Sequence, residues 1–195
     1  MTMRSSIALA GLAAFALTSV PALAGGIGVA TTVGVHQEEV YWYDAALDQQ
    51  FESQARPTYG GGLQIILGDK DDKVQGLVKF YGLGDAAPTA PSDAGNADYV
   101  ALREEMRSVG YASAGIQWGL TGDPDAFMFC LNTSLGSGFL TSDMLEYANA
   151  EVGPAFTYML ADTIQLNGEL VGSVRYRKGF TLASGVGVGV RYLFD

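Results

Sequence analysis

The sequence predicts an all-β fold: an eight-stranded antiparallel up-and-down transmembrane β-barrel. Three observations carry that prediction. The last stretch, Phe180–Phe194, alternates strictly over fifteen residues. Its even positions are Phe180, Leu182, Ser184, Val186, Val188, Val190, Tyr192 and Phe194, while its odd positions are mostly small, with Arg191 the one charge. A period of two is a strand, and fifteen residues is long for a soluble one. Seven earlier segments repeat the pattern. The connections between them alternate short and long, as in barrels with tight turns on one side and larger loops on the other.

The elements follow in order. Residues 1–24 read as a signal peptide: Arg4 opens it, Ile7–Val20 is mostly apolar, and Ala22-Leu23-Ala24 fits a small-x-small cleavage site. The apolar run is too short to span a membrane as a helix. Residues 25–195 then form the barrel domain, one domain of 171 residues. The predicted strands are 26–36, 57–68, 73–83, 111–121, 126–135, 147–159, 163–176 and 180–194. Links 69–72, 122–125 and 160–162 are short. Links 37–56, 84–110 and 136–146 are long, and only the link after the seventh strand breaks the rule. Parity makes it the three-residue turn Arg177-Lys178-Gly179, which sets Tyr176 opposite Phe180. Within 84–110, Asp98–Ser108 reads as a short helix with a stripe of Tyr99, Val100, Leu102 and Met106.

Alternation alone does not say which face points inward. A soluble ligand-binding barrel would bury the apolar face, but an eight-stranded interior is only just wide enough for side chains or one small ligand. Glycine-rich faces suit that crowded interior. The aromatics also fall at two levels. Tyr59, Phe80, Tyr176 and Phe180 lie toward the loops; Trp118, Phe127, Tyr158, Tyr192 and Phe194 lie toward the turns. Aliphatics fill the band between. Two aromatic belts mark two water–lipid interfaces. No charge falls on the apolar face within the spans, where Lys or Arg at mid-depth costs roughly 2–4 kcal/mol.

The chain has 11 Lys and Arg against 21 Asp and Glu. Removing Arg4 with the signal takes the net charge from −10 to −11. A chain this acidic has no basic patch for nucleic acid. One cysteine, Cys130, excludes an internal disulfide. With one histidine beside it, a nitrogen–sulfur metal site is not expected, nor is any cofactor.

On these patterns the chain resembles the small eight-stranded outer-membrane proteins, such as the OmpA transmembrane domain, OmpX and OmpW. The resemblance covers all of 25–195 and is one of pattern. It implies a porin-like surface barrel in the outer membrane of a Gram-negative cell, in contact with lipid and lipopolysaccharide and monomeric. Gly189, Tyr192 and Phe194 resemble the terminal signal read by the barrel-insertion machinery, although Asp195 follows where the family ends on an aromatic.

The inward charges of the predicted strands are Lys79, Glu151, Glu169, Arg175 and Arg191. Carboxylates in a confined lumen need cationic partners. One reading is a network that plugs and stiffens the barrel; the other is a gate over a narrow ion path. No enzyme is expected. A lipid-acting enzyme of the lipid A deacylase type is the alternative, and it needs a histidine, a serine and an acid at the membrane surface. His36, the one histidine, reads instead as an inward rim residue. In loop 37–56, Tyr41, Trp42 and Tyr43 are a candidate surface recognition patch among Glu38, Glu39, Asp44, Asp48 and Glu52. The loops 37–56, 84–110 and 136–146 are the surfaces open to interaction.

Overall fold

The computed structural model describes residues 24–43, 49–85, 100–101, 108–140, 147–176 and 180–194. Side chains are described at these positions except 37–54, 85, 100–101, 108–109 and 139–140. Among the described residues there are nine strands: β1 (Gly25–Tyr43), β2 (Gln49–Leu67), β3 (Val74–Asp85), β4 (Val100–Ala101), β5 (Ser108–Gly122), β6 (Phe127–Leu140), β7 (Tyr147–Ala161), β8 (Ile164–Tyr176) and β9 (Phe180–Phe194). Eight of them form a closed antiparallel ring. Its order is β2-β3-β5-β6-β7-β8-β9-β1, and β1 pairs back to β2. This is the expected eight-stranded antiparallel up-and-down barrel. The ninth, β4, pairs only with the outer end of β1.

Closure gives every barrel strand two neighbours, so most backbone groups are met within the ring. The stagger can be followed residue by residue. Gly26 pairs with Ile66, then Leu77, Gly115, Ser134, Glu151, Ser173, Ala183 and finally His36. One circuit therefore returns to β1 ten residues along, from 26 to 36. Such a stagger tilts the strands roughly 35–45° from the axis.

The faces sort as period two requires. Val29, Val33, Leu135, Leu170, Val186 and Val188 stand exposed on the outer wall, and so does every residue of both aromatic belts. Tyr176 faces Phe180 across the β8–β9 ladder with ring centroids 4.9 Å apart. Phe127 faces Tyr158, and Ile164 faces Tyr192, at the turn end. The inner face carries the buried polar set together with Ile66 and Leu77.

Several connections differ from expectation. Loop 37–56 is largely strand: β1 and β2 continue as one antiparallel ribbon until Tyr43 pairs with Gln49. Val40, Tyr41, Trp42, Tyr43 and Phe51 favour extended backbone, and the ladder holds them beyond the lipid band. Tyr41, Trp42 and Tyr43 thus lie on a strand, not a loop. The Asp98–Ser108 helix does not form at the residues seen. Val100–Ala101 are extended and pair with Trp42–Tyr43, while Ser108 already belongs to β5. Residues 98–99 and 102–107 lie outside the described residues. Gly136–Leu140 of link 136–146 extend β6.

The turn-side hairpins are also trimmed. The β7–β8 turn is Asp162–Thr163, with an irregularity between Met159 and Ala161 that leaves Leu160 extra. A matching one around Leu120 interrupts β5. Such bulges add a residue and locally sharpen the twist. Gly68 and Gly122 take positive φ at their turns, a conformation that favours glycine. Residues 1–23 of the expected signal peptide 1–24, residues 177–179 and Asp195 lie outside the described residues.

Candidate functional site

The site is the lumen. Lys79 projects inward from β3, and its ammonium contacts Glu169 of β8 at 2.8 and 2.9 Å. β3 and β8 are diametrically opposed: three strands separate them in either direction around the ring. The pair is therefore a strut across the full width of the barrel. Lys79 is 1% exposed and Glu169 5%. A charge so buried is tolerated only with close partners. Lys79 also reaches Glu151 of β7 at 3.4 Å. Asn132 donates to Glu169 at 2.8 Å, while Ser134 and Asn149 donate to Glu151 at 2.9 and 2.8 Å.

Nearer the turns lies a second arrangement. Arg191 of β9, 1% exposed, donates to amide oxygens and, among the described residues, to no carboxylate within hydrogen-bonding distance. Its Nε and Nη2 meet Gln64 Oε1 at 3.1 and 2.9 Å, and its Nη1 meets Gln117 and Gln165 Oε1 at 3.3 Å each. Asn167 also donates to Gln64 Oε1, and Gln64 donates to the Tyr81 hydroxyl at 2.6 Å. Gln117 donates to Gln75, which in turn donates to the Asp69 carbonyl at the turn. The planar guanidinium fits such a fork of acceptors, where an ammonium would not. Ile66, Leu77 and Leu193 are also buried on the inner face at this end, where Ile66 pairs with Leu77 and Gly26 pairs with both Ile66 and Leu193.

The expected five-residue charge network thus divides. Lys79, Glu151 and Glu169 join. Arg191 sits in the amide cage, and Arg175 lies over the Tyr147 ring, 5.0 Å from its centroid. Glu151 and Glu169 do not face each other across the β7–β8 ladder. Glu151 pairs with Ser173, and Glu169 with Ala155, four residues along β7. The two-residue turn and the bulge shift the register, so Lys79 bridges what the local ladder separates.

Some lumen residues escape a reading of the sequence. Arg56, placed in a loop, is a buried inward residue of β2, and His36 is buried beside it, as its pairing partner on β1. Tyr81 and Tyr111 stack inside the lumen, ring centroids 5.2 Å apart and within 6° of parallel. Their parity matches that of Lys79 and Ser113 and was the available signal. Cys130 packs against Met128 and Ala155 in the interior. Among the described residues, no three His, Cys, Asp or Glu side chains cluster as metal ligands. The side chains of Tyr41, Trp42 and Tyr43 lie outside the described set.

With the ring and its lumen defined, solved structures give three likenesses. Neisserial surface protein A matches with a TM-score of 0.38 and 11% identity, over 86% of this chain and 97% of that one. A de novo designed transmembrane β-barrel matches with a TM-score of 0.33 and 12% identity, over 84% and 95%. OmpT, an outer membrane protein of Vibrio cholerae, matches with a TM-score of 0.28 and 10% identity, over 88% of this chain and 55% of its own. No protein-family model and no curated protein matches this chain.

Proposed function

We propose that this chain is a monomeric barrel of a Gram-negative outer membrane with an ion-tight lumen, serving as a small structural or adhesive surface protein and not as an enzyme. The observation that carries this reading is the Lys79–Glu169 strut, which crosses the barrel's diameter above the Arg191 cage. An ion moving along the axis must part the strut and then the amide cage. The outer wall supports membrane residence: a wide apolar band between two aromatic belts matches a hydrocarbon slab and its interfaces. In this reading the signal directs export and is removed, and Gly189, Tyr192 and Phe194 guide insertion. The β1–β2 ribbon carries Tyr41, Trp42 and Tyr43 past the outer aromatic belt.

Planar-bilayer recording of the refolded protein tests it. Wild type is expected to stay at baseline at high voltage. Stepwise conductance would replace the closed barrel with a narrow pore.

A further inference from the structure

The barrel has one interrupted ladder at mid-depth. β7 and β8 pair in a constant register from Ala148–Tyr176 to Met159–Gln165, but the pairs Gly153–Val171 and Pro154–Leu170 are missing between Val152–Gly172 and Ala155–Glu169. Proline explains both. With no N–H, Pro154 cannot donate to the Leu170 carbonyl. In an antiparallel ladder, one such lost bond removes its own pair and an adjacent one. Proline is otherwise confined to strand edges and bulges, and this ring has no free edge at that depth. The neighbouring Gly153 is equally constrained: a Cβ there would collide with the Leu170 carbonyl oxygen. The two strands are thus in close backbone contact but short of one hydrogen bond.

The gap's position matters for the lumen. It lies between Glu151–Ser173 on one side and Ala155–Glu169 on the other. Both carboxylates that hold Lys79 are therefore mounted on the two walls of this seam.

We propose that the Pro154 gap is a breathing seam, where β7 and β8 part locally while the remaining ladders stay closed. Each parting shifts the walls that carry Glu151 and Glu169 and lets water reach them. Elsewhere the pairing of each strand is continuous through mid-depth, so opening concentrates here.

Residue-resolved amide hydrogen exchange on the full barrel in lipid nanodiscs tests the proposal. On β8, even-numbered amides face β7 and odd-numbered amides face β9. Leu170 and Gly172 are expected to exchange roughly tenfold or more faster than Glu169 and Val171 of the same strand. Pro154→Val, which restores the missing donor, should bring the two sets together. Equal protection of the two sets in wild type would overturn the proposal, whatever the variant does. So would fast exchange at Leu170 that persists in a folded Pro154→Val barrel.

Discussion

Lys79 and Glu169 lie 90 residues apart in sequence and meet across the barrel's diameter at 2.8 Å. Each is the other's closest counter-charge, and both are shut away from solvent. The pair ties opposite walls together, so its removal acts on the barrel as a whole.

Lys79→Met leaves Glu169 and Glu151 without their shared cation. Breaking a buried pair from one side costs about 3–5 kcal/mol. Urea unfolding followed by heat-modifiable gel mobility should read that loss. The double variant Lys79→Met with Glu169→Met should cost less than the sum of the single changes. Additive losses would show that the two residues do not act as a pair.

Arg191 should resist conservative replacement. Arg191→Lys keeps the charge but loses the fork that reaches Gln64, Gln117 and Gln165 at once. Its destabilisation is expected to fall within about 1 kcal/mol of that of Arg191→Met, since unmet amide acceptors dominate both. Full rescue by lysine would mean that charge alone holds the cage.

The two faces of β9 should respond differently to substitution. Val188→Arg places a cation on the outer wall near mid-depth, at a cost of roughly 2–4 kcal/mol in lipid. Gly187→Ser adds a small group inside the lumen, where its nearest neighbour is the flexible Glu169 side chain, 3.1 Å from its Cγ. Surface levels of folded protein should therefore drop sharply for the first and little for the second. Equal levels would refute the face assignment.

Much of the fold was legible in the sequence because period two fixes a face once a strand is recognised. Phe180–Phe194 announces its outer and inner sets directly. The inward assignment of Lys79, Glu169 and Arg191 needed nothing more. What was not legible depends on stagger. A shift of ten residues per circuit decides which inward groups meet, and no local pattern encodes it. Hence Arg191 was expected among carboxylates and sits among amides. The extra residues at Leu120 and Leu160 leave no mark on the alternation, so the offset of Glu151 from Glu169 along the ladder cannot be read from it. The β1–β2 ribbon was hidden by its acids, which belong equally well to a loop. Arg56 went with it. The Val100–Ala101 strand opposes a local helical stripe, and its pairing with Trp42–Tyr43 comes from the other end of the mouth.

Lipid-to-protein nuclear Overhauser contacts, measured on methyl-labelled barrel in nanodiscs, test the underlying arrangement most directly. Acyl-chain protons are expected to contact the methyls of Val29, Leu135 and Val188, and to miss those of Ile66 and Leu77. The opposite pattern, with lipid touching Ile66 and Leu77 and sparing Val188, would contradict a barrel that turns its apolar side chains outward.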